Sequence, residues 1–263
     1  MLAKKVVIVS DLHSGSRYGL TPPSWWNGHT MAATKWLWEC WTHFINRVGK
    51  HDLLIINGDP IDGKQRRSTS VGLLTASLDE QVDIAIECLA PLVKKAGKVI
   101  RIEGTAYHES FDGPCSKMDV TFGIKIPSGP ARIVRDIRLS EDAILNVKHQ
   151  PEGEGALYRG TTMDRELLWA TVTQARKGIA PATHIVRSHL HSDAHMRGFG
   201  IEINFTPCWC LQQPYALHKR RYRWVPDIGG AIMLADSNGH HGYSTHALTY
   251  PVPQPEADSY EEI

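Results

Sequence analysis

Long apolar runs are missing from this chain of 263 residues. Nothing in it approaches the roughly 20 apolar residues that span a bilayer, so a membrane-spanning helix is excluded. At the N-terminus, the apolar stretch of residues 6–9 is cut short by Asp11. A secretory leader needs about 7–15 apolar residues, so this segment reads as a first strand. An excess of either charge is missing too. Lys plus Arg total 29 and Asp plus Glu 28, a net charge of +1, which argues against a protein that coats DNA or another polyanion. Paired cysteines are missing as well: the five (Cys40, Cys88, Cys115, Cys208, Cys210) are odd in number and scattered. That fits a reduced, cytoplasmic chain better than a disulfide scaffold. Cys208 and Cys210 form a lone C-x-C with no second pair nearby, which reads as inert. There is no internal repeat and no long linker. The expectation is one domain over residues 1–250, followed by a Pro-rich, acidic, flexible tail at 251–263.

What is present is an alternation of elements. Residues 5–10, 52–57 and 98–103 are short runs rich in β-branched and aliphatic residues, as expected of strands buried on both faces. Helical spacing over 30–48 and 73–95 separates them, which implies parallel pairing with right-handed crossovers. The pattern then changes. Residues 131–139 and 143–149 read as two strands joined by a turn, 161–177 as a helix and 183–188 as another buried strand. Shorter strand candidates follow at 201–205, 231–235 and 243–248.

Histidine is abundant, at 14 residues, and its placement carries the chemistry. The first strand ends in Asp11-Leu12-His13 and the second in Gly58-Asp59-Pro60-Ile61-Asp62. The third ends in Gly104-Thr105-Ala106-Tyr107-His108-Glu109. A later strand ends at His149, and the next in Ser188-His189-Leu190-His191. Any one of these is an ordinary turn or surface feature. Five in order at strand ends are not, because the carboxyl edge of an open α/β sheet is where ligands bind. Carboxylate oxygen and imidazole nitrogen suit divalent metals. A pair of such ions, bridged by a carboxylate, polarises a phosphoryl group and activates a water.

These blocks resemble the calcineurin-like metallophosphoesterase superfamily, including some phage-type members with a G-T-x-x-H block. That family shows D-x-H, G-D-x-x-D, G-N-H-D/E, a lone His and G-H-x-H. The resemblance covers residues 5–195 and implies a two-sheet mixed β sandwich flanked by helices, in four layers α/β/β/α. It implies that Asp11, His13 and His191 hold a first metal, that Asp59 bridges, and that His149 and His189 hold a second. It further implies that His108 protonates the leaving oxygen, with Glu109 orienting its ring. The implied cofactors are two divalent ions, Mn2+ first, with Zn2+, Fe, Ni2+ or Mg2+ as alternatives.

Two departures stand out. Ser188 replaces a glycine, with little effect expected. Thr105 stands where the family has a metal-binding Asn, and His108 comes two residues late. Thr105 is thus expected to be a weak ligand, leaving the second metal the looser one.

The implied activity is hydrolysis of phosphate mono- or diesters, as a phosphatase or phosphodiesterase. The alternatives are a nuclease using the same centre and a non-catalytic metal-binding scaffold of the same fold. The partner is a phosphate ester, a nucleotide or nucleic acid among the possibilities, and no membrane is involved.

Further candidates are weighed against plainer readings. Ser14-Gly15-Ser16-Arg17 offers amides and a cation for phosphate, and Arg159 a second cation. Trp25 and Trp26 lie in a loop where they could stack a base, whereas Trp36, Trp38 and Trp41 read as helix packing. The basic run 218–223 and the pair His240-His241 read as surface features.

Overall fold

The computed structural model describes residues 4–65, 70–109, 113–153, 159–178, 182–213, 225–240 and 242–253. The expected tail beyond 253, the basic run and His241 lie outside them.

Five strands form the first sheet: β1 (Lys5–Val9), β2 (His51–Asn57), β3 (Ala96–Ile102), β9 (Ile228–His240) and β10 (Tyr243–Tyr250), in the order β10-β9-β1-β2-β3. β1, β2 and β3 run parallel, and β9 joins β1 antiparallel. The second sheet contains β4 (Val134–Arg138), β5 (Ile144–Lys148), β6 (His184–Arg187), β7 (Ala194–Gly198) and β8 (Ile201–Phe205), in the order β4-β5-β6-β8-β7. β5, β6 and β8 are mutually parallel. The helices are α1 (Ala32–Val48), α2 (Leu78–Val93), α3 (Ser116–Thr121) and α4 (Arg159–Lys177).

The layering follows from strand periodicity. Val7, Val9, Leu54 and Ile56 turn one way and pack with Leu37, Trp41 and Phe44 of α1 and Val82, Ala85 and Leu89 of α2. Their neighbours Val6, Ile8, Leu53 and Ile55 turn the other way, onto Leu145, Val147 and Val186 of the second sheet. The far face of that sheet, through Ile185, Ile201, Ile203 and Phe205, packs on Met163 and Leu167 of α4. Three cores between four layers make the expected α/β/β/α sandwich. They also explain why β1 and β2 read as unbroken apolar runs.

Element boundaries differ where local chemistry outweighs periodicity. α2 begins at Leu78, capped by Ser77, which accepts the Glu80 N–H at 3.3 Å. Leu74, inside the expected helix, instead donates its N–H to Gly15 O at 2.7 Å, tying that segment to the loop after β1. The strand expected over 131–139 starts only at Val134, because residues 129–132, with Pro130 in the first turn, form a 3-10 turn. The edge strand β7 and the six-residue α3 have too few periodic residues to be read from sequence.

Candidate metal centre

The carboxyl ends of β1, β2, β3, β5 and β6 meet along one edge of the sandwich. The loops after β1 and β2 extend the parallel pairing past the strands: Asp11, His13 and Ser14 N–H groups donate to Gly58, Asp59 and Pro60 carbonyls, each at 3.1 Å. The two sheets are joined at this edge. Asn57 Nδ2 donates to Ser188 Oγ at 2.7 Å, and Ser188 Oγ lies 2.7 Å from Thr206 Oγ1, which is 3.1 Å from Ser10 Oγ. Ser188, expected to matter little, is therefore a hydroxyl bridge that a glycine could not supply.

The backbone here is held in an unusual state. Asp11, His13, Asp59, His189 and His191 all have left-handed φ, between 47° and 68°. Each such non-glycine residue costs on the order of 1–3 kcal/mol and persists where its surroundings enforce it. Two glycines make room. A Cβ on Gly58, itself at φ 83°, would lie 2.3 Å from His149 Nδ1, and one on Gly104 would lie 2.1 Å from Asp59 Oδ1.

The side chains at this edge come together. One group of potential ligand atoms, all within 4.8 Å of one another, comprises Asp11, Asp59, His149 and His189. A second comprises Asp11, His13 and His191, and a third His13, Asp59 and His108. Asp11 thus joins both sets instead of serving the first alone. The set around His149 and His189 has four groups, one more than the set around His13 and His191. Among the described residues no cysteine belongs to any of these groups.

The imidazoles are oriented from behind. His149 Nδ1 is 2.6 Å from Asn57 O, and its Nε2 is 3.0 Å from Asp59 Oδ2. His13 Nδ1 is 3.0 Å from Asp62 Oδ1, which leaves Nε2 facing His191 at 3.3 Å. Backbone carbonyl and carboxylate partners of this kind hold the ring of a metal-ligating histidine. Asp11 Oδ1 is buried and accepts no hydrogen bond of proper geometry. Yet His191, His149 and His13 present Nε2 to it at 3.2, 3.7 and 3.8 Å. An orphaned carboxylate oxygen ringed by imidazole nitrogens fits a divalent cation.

Electrostatics agree. Burial alone would raise the carboxyls of Asp11 and Asp59, but neighbouring imidazolium charge, His149 foremost, holds both well below the usual carboxylate range. Burial would lower His149, but Asp59 and Asp11 raise it to about 9. Burial and the His149 charge push His189 down to about 4. The carboxylates therefore demand positive charge, which the metal-free chain supplies with protons on imidazole.

Other assignments need correction. Glu109 is not the partner of His108: its Oε1 accepts the N–H groups of Asp59 and Gly104, each at 2.8 Å. His108 Nδ1 sits 2.6 Å from Asp62 O instead, because the two extra residues of the third block carry its ring toward the β2 loop. Thr105 turns its hydroxyl onto the Asp59 carboxylate, 3.2 Å from each oxygen. In the expected phosphate loop, the N–H groups of Ser14, Ser16 and Arg17 already donate to Pro60, His13 and Gly72 carbonyls. Arg17 itself is exposed, with Nε on Leu73 O at 3.3 Å. Arg159 lies nearer the centre: Nη1 is 3.2 Å from Asp193 O and 3.5 Å from Asp227 Oδ2, and the Asp227 N–H donates to His191 O at 3.0 Å.

The tryptophans pack. Trp41 and Trp209 meet edge to face at 4.7 Å in the helix-side core, and Trp25, Trp36 and Trp38 lie against it. Trp26 Nε1 donates to Thr21 O at 3.1 Å.

Sequence reasoning assigned no role to Asp62, Asn57 or Arg101. The first is the second carboxylate of GDPID and the second immediately precedes that block. Arg101 is a lone charge in the buried run KVIRIE, a pattern that signals an internal ion pair.

No family model matches the chain, and no curated protein matches it. Solved structures do. A Vps29 from Entamoeba histolytica is 11% identical, with 94% of this chain and 99% of that one covered and a TM-score of 0.45. An uncharacterised protein of Streptococcus pneumoniae described as a predicted phosphoesterase is 11% identical, over 95% and 91% of the two chains, at a TM-score of 0.42. An archaeal phosphodiesterase is 10% identical, over 93% and 99%, at 0.46. The fold class rests on the strand order and the three cores described above. Among the described residues no helix is long and apolar enough to cross a membrane.

Proposed function

We propose that this chain is a phosphoesterase of the calcineurin-like type, working with two divalent metal ions, Mn2+ foremost. The observation that carries the reading is the buried Asp11 Oδ1, which accepts no well-formed hydrogen bond and is faced by imidazole nitrogens at the junction of two ligand sets. His149, His189, Asp11 and Asp59 would hold one ion, and His13, His191 and Asp11 the other. Bound there, such ions neutralise charge on a phosphoryl group and acidify a water.

The chain's own groups do the rest. Asn57 O and Asp62 Oδ1 fix two imidazoles so that Nε2 points inward. His108, its Nδ1 fixed on Asp62 O, presents Nε2 as the group that passes a proton to the leaving oxygen. Burial is the main cause that lowers its pKa, which makes the imidazolium a stronger acid but the less populated form near neutrality. Arg159, beside the His191 loop, would meet a substrate phosphate; its contacts with Asp193 O and Asp227 support this by keeping it near the centre. The substrate is a phosphate ester, and the buried free thiols suit a reducing, cytoplasmic setting.

The test is hydrolysis of bis-(p-nitrophenyl) phosphate and p-nitrophenyl phosphate with added Mn2+, beside single-stranded DNA, cyclic nucleotides and a phosphopeptide. Activity absent from an Asp59→Asn variant supports the reading. Wild-type protein that binds metal but hydrolyses none of these would make it a scaffold.

A further inference from the structure

Behind the candidate centre lies a second buried cluster that the chemistry above does not use. Glu109 follows β3 and is turned back by a tight loop in which the His108 and Glu109 N–H groups both donate to Thr105 O, at 3.1 and 2.8 Å. One carboxylate oxygen, Oε1, then receives two backbone N–H groups at 2.8 Å each, those of Asp59 and Gly104. The other, Oε2, is gripped by Arg101 Nη1. Arg101 is in turn held as a fork by Asp119 of α3, with Nε and Nη2 each 2.7 Å from a carboxylate oxygen. All three side chains are buried.

The two N–H groups that Glu109 collects are not arbitrary. Asp59 is one of the left-handed residues and carries the carboxylate shared by two ligand sets. Gly104 is the wall against which that carboxylate lies, since a Cβ there would stand 2.1 Å from Asp59 Oδ1. The next residue, Thr105, donates its N–H to the same Oδ1 at 2.7 Å. A single oxygen of Glu109 therefore pins both the ligand's backbone and the surface that aims its side chain. Charge-assisted bonds of this kind are roughly twice as strong as neutral ones, which suits them to enforcing a strained φ.

We propose that Glu109, anchored by Arg101 and Asp119, is a positioning residue that sets the Asp59 carboxylate for metal binding. The proposal rests on the metal-centre reading above. It replaces the role implied for Glu109 by the resemblance, the orientation of His108. The relay runs from α3 through β3 to the β2 loop, so a change at Asp119 is felt at Asp59 without touching any ligand.

The test uses Co2+ as the probe, read by calorimetric titration and by its visible absorption bands, on the whole chain. Glu109→Ala should raise the Kd for Co2+ about 10–100-fold, the usual cost of losing a partner behind a ligand, and shift the bands. Glu109→Gln keeps an oxygen acceptor for the two N–H groups and should recover most of that loss. Leu89→Ala, a core variant on α2, should lower the Tm while keeping the wild-type Kd and spectrum. Wild-type Co2+ binding by Glu109→Ala would overturn the proposal, as would equal weakening by Leu89→Ala. Should Glu109→Ala not fold, Asp119→Asn decides: a weaker Kd with altered bands supports the relay, and an unchanged Kd overturns it. Wild-type protein that takes up no Co2+ would instead bring down the metal-centre reading, and the relay with it.

Discussion

Two clusters of buried charge lie side by side at the ends of β1 to β3, and they differ in how the charge is balanced. In the Arg101 cluster each carboxylate meets a guanidinium or backbone N–H at hydrogen-bond distance, and the set is closed. In the Asp11–Asp59 cluster Asp11 Oδ1 accepts no hydrogen bond of proper geometry and is faced by imidazoles, and five residues are held at left-handed φ. Burying charge that only neighbouring imidazoles balance is costly, so a fold retains it where a cation completes it. The closed cluster stabilises and positions; the open one is built for a cation that the chain does not carry itself.

The contrast predicts opposite phenotypes. Arg101→Met, which leaves Glu109 and Asp119 buried without their cation, should cost about 3–5 kcal/mol of stability, read by urea unfolding. Asp11→Asn should cost the metal-free protein less stability than Arg101→Met does while abolishing high-affinity metal uptake, because asparagine tolerates left-handed φ but brings no charge. If both variants lose stability alike, the distinction between the clusters fails.

Asp59→Asn should lower phosphodiester hydrolysis by about 10²-fold or more, on the scale of removing one group that stabilises transition-state charge. His108→Gln should cost roughly 10²-fold with a poor leaving group and little with p-nitrophenolate, since a good leaving group needs no proton. An equal loss with both would deny His108 the role of acid. Gly58→Ala combines a left-handed φ with a Cβ driven onto His149, and should cost about 1–3 kcal/mol. Its metal affinity should fall further than that of a neutral surface variant.

The smallest effect concerns the thiols. All five cysteines are buried, and burial pushes Cys40 up to about 11 and Cys210 up to about 12. A disulfide reagent should label none of them quickly in native protein at pH 8, and all five in denaturant. Fast labelling of Cys208 or Cys210 would revive the C-x-C pair as a functional feature.

Much of this was legible in the sequence, and unevenly so. Strands buried on both faces announce themselves as β-branched runs, so β1, β2 and β6 were readable, and with them the positions of Asp11, Asp59 and His189. The ligand types followed because metal chemistry restricts them to a few side chains. The third block was misread for a geometric reason. The resemblance put Glu109 behind His108, whereas the turn closed on Thr105 O sends one toward Arg101 and the other toward Asp62. Asp11 serving both ligand sets, and Ser188 bridging the sheets, depend on contacts between residues 178 and 131 positions apart in the chain, which no local pattern encodes. Edge strand β7 does alternate, with Ala194, Met196 and Gly198 half-buried and His195 and Arg197 exposed, but it is five residues long and none of them is fully buried, so it offers little apolar signal.

The most direct test of the central claim is diffraction from crystals soaked in Mn2+, with anomalous data recorded at the manganese edge. The account predicts two peaks about 3.5–4 Å apart, both within coordination distance of Asp11, one reaching His149 and His189 and the other His13 and His191. No peak at these residues, or manganese bound only elsewhere on the surface, would contradict it.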